Sequence, residues 1–120
     1  MEKHGVLYRT VEAQDLAISM KSGALPVLAT PRMIAWMEEA SLELIDLEEG
    51  QTSVGVLVNV SHDRPTALGK TVQIYSQLKA VEGKIYTFEV KAYCDDFCIG
   101  KGLHKRAVVN TDRFMAKLKA

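Results

Sequence analysis

The sequence predicts an α+β protein in which a largely antiparallel sheet curls around one long central helix. Three observations carry this. One segment only, beginning near Thr30, has helical periodicity together with a start and a stop signal. From Gly50 onward the apolar repeat changes to two and holds through four successive stretches. Ahead of the helix lies a single short strand-like stretch. One helix must then be covered by a sheet made mostly of a meander.

The first element is weakly strand-like, with Val6, Leu7, Tyr8 and Val11 in the run from Gly5 to Ile18. Met20 to Ala29 reads as an irregular connection, because Gly23 and Pro26 resist helix. The helix follows. Thr30 suits the N-cap, Pro31 the first helical position, and Gly50 the stop beyond a helical run from Arg32 to Leu47. Met33, Met37, Ala40, Leu44 and Leu47 gather on one side of that helix, opposite Glu39, Glu43 and Asp46. Next, Val54, Val56, Val58, Val60 and His62 alternate with polar or small residues, which predicts a long strand with one apolar face. His62 to Pro65 ends it. A strand after Gly69 carries Val72, Ile74 and Leu78 on one face, and Glu82-Gly83 makes a tight turn into Ile85 to Tyr93. Asp95-Asp96 turns the chain again into a strand from Phe97 to Val109, and Thr111 or Asp112 caps a short terminal helix.

Composition bounds the function. The 120 residues make one domain, residues 1–120, long enough to bury about two-thirds of its unfolded surface. With 48% apolar and 25% charged residues the chain is not disordered. Fifteen basic residues balance fifteen acidic ones, which argues against nucleic-acid binding by phosphate neutralisation. No apolar stretch suffices to span a bilayer, and charges throughout the first twenty residues are unlike a signal peptide. Cys94 and Cys98 make neither a disulfide framework nor a zinc site. The expectation is a cytoplasmic protein with no membrane or nucleic-acid partner.

Two polar residues break the patterns around them. Glu38 has Ile34, Leu42 and Ile45 as helical neighbours, so its carboxylate lies on a buried or interfacial side, where an unpaired charge is expensive. His62 ends the valine-lined face of its strand. The two sit on elements that must pack together, which points to a shared site. Thr30 fits a structural cap, but a helix start also favours an oxyanion, and its hydroxyl is a candidate nucleophile. His104, Lys105 and Arg106 form a basic cluster that reads as solvated strand charge or as a phosphate contact.

These residues carry a resemblance. The run Ala29-Thr30-Pro31-Arg32-Met33-Ile34-Ala35-Trp36-Met37-Glu38 resembles the central-helix entry of hotdog-fold thioesterases, specifically the fluoroacetyl-CoA thioesterase-like group. In that group a threonine opens the helix, a Met-Glu pair follows about two turns later and a histidine closes the next strand. Thr30, Met37-Glu38 and His62 match those separations. Gly55, Val81 to Lys84 and His104 to Val108 are also similar, so the likeness spans roughly residues 25 to 117.

The resemblance implies a hotdog fold and a homodimer with two acyl-CoA sites at its interface, with pairing into tetramers left open. It implies Thr30, Glu38 and His62 as the catalytic set. His62 would be the general acid–base, Thr30 the nucleophile or the group that places water, and Glu38 the residue that orients His62 or activates water. Backbone N–H groups at the helix start or near Gly55 would hold the oxyanion, and Lys105 or Arg106 the CoA phosphates. No metal and no cofactor beyond the substrate's CoA is required. The fluoroacetate-specialised member carries phenylalanines just before its threonine, whereas Lys21 to Leu25 here contains no aromatic residue. The expected activity is therefore hydrolysis of a short-chain acyl-CoA. A hotdog hydratase or dehydratase and a non-catalytic CoA-binding dimer are the alternatives.

Overall fold

In the computed structural model, which describes residues 3–119, the elements follow the expected order. They are β1 (His4–Thr10), α1 (Ala17–Met20), α2 (Thr30–Leu42), β2 (Gln51–His62), β3 (Thr71–Glu82), β4 (Ile85–Cys94), β5 (Phe97–Asn110) and α3 (Thr111–Ala116). The strands form one antiparallel sheet in the order β1-β3-β4-β5-β2, so β1 and β2 are its edges.

The helix α2 crosses one face of this sheet, mainly over β3 and β4. Met33, Met37 and Ala40 bury against Val72, Phe88 and Val90. Burial of each large side chain contributes about 1.5–3 kcal/mol. With one helix on one face, the molecule is a slab of 41 × 38 × 21 Å. Its radius of gyration, 15.5 Å, exceeds the roughly 13.5 Å typical of this chain length.

Polar contacts fix where α2 sits. The buried Ser41 hydroxyl donates to the Met37 carbonyl at 2.8 Å and shares a 2.8 Å hydrogen bond with buried Ser76 on β3. At the other end, buried Asp15 clamps the start of the helix. Its carbonyl accepts the Ala29 N–H at 2.9 Å, and its carboxylate lies 3.0 Å from Arg32 Nε while accepting the Glu12 N–H.

Four details differ from the sequence reading. Ala29, not Thr30, occupies the N-cap position; Thr30 is the first helical residue and its hydroxyl caps nothing. The helix ends at Leu42 rather than Leu47, because a tighter turn (Leu44 N–H to the Ser41 carbonyl, 3.0 Å) swings Ile45 into the core and leaves Leu47 exposed. On β2 the register shifts between Gly55 and Leu57, leaving Val56 without a partner on β5. This bulge reverses the alternation. Val58, Val60 and His62 share the helix-side face as expected, whereas Val54 pairs Ala107 on the other face and Gly55 turns inward opposite Arg106. The terminal helix is capped by Asn110, whose side chain accepts the Arg113 N–H at 2.9 Å, rather than by Thr111 or Asp112.

The β4–β5 turn places Asp95 and Asp96 at φ of 49° and 69°, the left-handed pair that a two-residue hairpin demands. Asp tolerates this region at a cost that Gly avoids. Asp95 also pairs with Lys70, whereas Asp96 has no such contact among the described residues. Replacing Asp96→Gly is expected to stabilise the fold by roughly 0.5–1 kcal/mol, read as a higher urea midpoint with an unchanged slope.

Candidate active site

Two polar constellations lie along the helix-side face of β2, one at each end. The first joins the start of α2 to the end of β2. Thr30 Oγ1 lies 2.7 Å from His62 Nδ1. Both line a cavity of about 230 Å³ with Ala17, Ser22, Leu28 and Arg64. Burial pushes the His62 imidazole below its ordinary value of 6.5, and the Asp63 carboxylate opposes the shift only in part. A neutral ring can accept the Thr30 proton at Nδ1, the geometry of a nucleophile and its base. Nε2 of the same ring is buried and has no hydrogen-bond partner among the described residues.

The helix start offers little to an oxyanion. Pro31 lacks an N–H, and those of Arg32 and Met33 both donate to the Ala29 carbonyl at 3.1 Å.

The second constellation centres on Gly55. A Cβ built there would meet Glu38 Oε2 at 2.8 Å and His104 Cε1 at 3.4 Å, so the missing side chain makes room for the carboxylate. Arg106 Nη1 lies 3.7 Å from Glu38 Oε2, while its Nε and Nη2 donate to the Ser53 hydroxyl and carbonyl at 2.9 and 3.0 Å. Burial lowers the Arg106 guanidinium from its usual value and Glu38 opposes this. His104 is 1% exposed. Its Nδ1 donates to the Leu57 carbonyl at 2.9 Å, which leaves Nε2 to accept from Arg106 Nη1 at 3.4 Å. That pairing fits a neutral ring, and burial pushes its pKa down.

Of the predicted trio, the structure joins Thr30 and His62 within one chain. Glu38 stands eight residues further along the helix, about 12 Å in helical rise, against Gly55 rather than His62. The basic pair read from the sequence divides as well. Arg106 is a buried partner of Glu38, and Lys105 faces the opposite side of the sheet between Leu57 and Thr87, so neither lines the Thr30–His62 cavity. The sequence reads His104 with them, as solvated strand charge or a phosphate contact. Its parity with Val108 on β5 is the signal that puts it inside. Asp15 gave no signal, since its burial follows from the turn ahead of α1.

No helix among the described residues is long and apolar enough to cross a membrane. Also among those residues, no group of three His, Cys, Asp or Glu is placed to hold a metal ion.

A family model described as fluoroacetyl-CoA-specific thioesterase matches residues 11–112. The chain is 36% identical to the fluoroacetyl-CoA thioesterase of Streptantibioticus cattleyicolor over 95 residues, 78% of this chain and 68% of that one. It superposes on a mutant of the fluoroacetyl-CoA thioesterase solved with acetyl-CoA at a TM-score of 0.91, with 27% identity, covering 98% of this chain and 94% of that one. A hot-dog-like protein from Thermanaerovibrio acidaminovorans gives 0.89 at 28% identity, over 97% and 87%.

The buried neutral His104 has a stability signature. Its folded pKa lies below the unfolded value of 6.5, so the unfolded chain binds more protons as pH falls. The contribution is complete above pH 6.5 and declines below it toward the depressed folded value. His104→Gln is expected to flatten this part of a urea-midpoint profile between pH 7 and pH 5; an unchanged slope would mean that His104 does not titrate on unfolding.

Proposed function

The chain belongs to the fluoroacetyl-CoA-specific thioesterase family and is a thioester hydrolase of the hotdog fold; from that premise we propose that it hydrolyses short-chain acyl-CoA to free acid and CoA, without specialisation for fluoroacetyl-CoA. The 2.7 Å contact between Thr30 Oγ1 and His62 Nδ1 in a small cavity carries this reading. His62 takes the proton of Thr30, or of a water that Thr30 positions, as the oxygen attacks the thioester carbonyl. The carbonyl oxygen becomes an oxyanion. As it collapses, the C–S bond breaks and the His62 imidazolium returns the proton to the CoA thiolate. On the covalent route a water then cleaves the Thr30 ester with the same base. The cavity of about 230 Å³ suits a short acyl group, and the segment over it contributes Ser22 and no aromatic side chain.

The remaining member, Glu38, comes from a second protomer in this reading. The edge strand β2 carries no charged residue from Gln51 to His62, and Val56, Leu57 and Val58 are 53%, 44% and 40% exposed. A long uncharged apolar edge invites pairing with another strand. Antiparallel pairing of two β2 strands about a twofold axis at Asn59, with the bulged Val56 as the extra residue, sets each His62 opposite the partner's Gly55. The partner's Glu38 lies against that glycine, which brings its carboxylate to the His62 end of the facing strand. The protein is then a homodimer with two sites, each built from both chains.

Free thiol release from acetyl- to hexanoyl-CoA tests the activity. His62→Ala is expected to lower kcat at least a hundredfold. Thr30→Ser should retain much activity and Thr30→Ala lose it at little cost in stability, because the hydroxyl caps nothing. Enoyl-CoA turnover without thiol release would instead indicate the hydratase. Complementation tests the shared site. Mixed dimers of His62→Ala and Glu38→Gln chains should regain activity that neither homodimer has; no recovery would place Glu38 and His62 of one chain in one site, or Glu38 outside it. Gly55→Ala is expected to fold normally, since only the mobile end of Glu38 must move, yet to lose about tenfold to a hundredfold in kcat.

A further inference from the structure

At the end of β2, Asp63 and Arg64 are held by the chain itself. Both backbone N–H groups donate to the Ile99 carbonyl on β5, at 2.6 and 3.3 Å. This tie leaves the Arg64 side chain lying over the Phe97 ring, with the guanidinium carbon 3.9 Å from the ring centroid. Phe97 is itself solvent-exposed, which is unusual for a phenylalanine that packs against no core. Its contact here is the cation.

Arg64 has no salt-bridge or hydrogen-bond partner for its guanidinium among the described residues. The acids nearest in sequence and space are committed elsewhere: the Asp63 carboxylate accepts from the Ser61 hydroxyl at 2.8 Å, and Asp95 takes Lys70 at 2.8 Å. The arginine lines two cavities at once. One is the Thr30–His62 cavity; the other, about 260 Å³, is walled by Thr66, Lys70, Phe97 and the Asp95 that Lys70 neutralises. Thr66 is 3% exposed and its hydroxyl has no hydrogen-bond partner among the described residues. A stacked guanidinium and an orphaned buried hydroxyl, at a residue that also lines the cavity of the reacting pair, form a place for an anion.

We propose that Arg64, braced on Phe97, receives an anionic group of the acyl-CoA beside the Thr30–His62 pair and so sets which thioesters are bound. This rests on the thioesterase reading above. The shared chemistry is an oxyanion on the substrate, either a CoA phosphate or a carboxylate borne by the acyl chain. The planar fork presents two N–H groups to it, and the ring beneath limits the rotamers that binding must otherwise freeze. Phe97 acts through Arg64 and is a positioning residue.

Three probes separate the sources: acetyl-CoA, S-acetylpantetheine, which lacks the phosphates, and succinyl-CoA. Arg64→Gln is expected to raise KM about tenfold or more, with kcat nearly unchanged, for each probe that carries the recognised anion. A phosphate contact gives this loss with acetyl-CoA and none with S-acetylpantetheine. A carboxylate contact confines it to succinyl-CoA. Arg64→Lys should recover only part of the loss, and Phe97→Leu should raise KM for the same probe while Phe97→Trp restores it. A KM within twofold of wild type on all three probes overturns the proposal. Failure of the underlying reading looks different, because the wild-type protein would then release no thiol at all. In that event equilibrium titration of CoA and succinyl-CoA into wild type and Arg64→Gln decides, and equal affinities overturn the proposal.

Discussion

One helix has to bury one whole face of a five-stranded sheet, and everything else in this molecule is arranged around that shortage of cover. The helix cannot slide without uncovering Val72, Phe88 or Val90, and its position is held by the Ser41–Ser76 hydroxyl pair, the Asp15 clamp and the Arg9–Glu39 ion pair. A buried hydroxyl pair contributes little net stability, about 1 kcal/mol, but costs more when broken on one side. Its value lies in register. Fixing α2 to β3 also fixes where Thr30 meets the end of β2 and where Glu38 meets its middle.

The Val56 bulge is the second determinant. Without it, Val54, Val56 and Val58 would share a face and Gly55 would point away from the helix. With it, a glycine faces the carboxylate of Glu38, and the buried faces of β2 and β5 acquire Ser53, His104 and Arg106. A polar cluster so close to the core is tolerated because nearly every group has a partner: Arg106 spans Ser53 and Glu38, and His104 spans the Leu57 carbonyl and Arg106. A bulge thus converts a valine ladder into a seat for an acid.

Much of this was legible in the sequence, and the reasons are local. The start of the helix, the four strands and the two hairpin turns follow from Pro31, from alternation and from Glu82-Gly83 and Asp95-Asp96. Glu38 and His62 stood out because each interrupts an apolar pattern. What the sequence did not reveal depends on contacts between distant segments. A single unpaired residue at Val56 leaves no mark on alternation until β5 is laid beside it. Arg106 and His104 look like surface charge until the parity of Val108 is applied to them. The burial of Asp15 and the stacking of Arg64 on Phe97 join segments 17 and 33 residues apart, where neither periodicity nor propensity reaches.

The two edges of the sheet are not equivalent. β1 carries Arg9, tied to Glu39 of α2, with Lys3 just before it tied to Asp46; β2 carries no charge and is bracketed by Glu48 and Glu49 before it and Asp63, Arg64 and Pro65 after it. The proposed pairing through β2 would therefore exhaust itself. Two chains related by a twofold axis consume both open edges, and the outer boundaries of the joined sheet are then two charged β1 strands that resist further addition. If two chains pair there as proposed, the same asymmetry that leaves a single chain vulnerable to association would close that association, and growth would stop at a discrete particle instead of running on into a fibre.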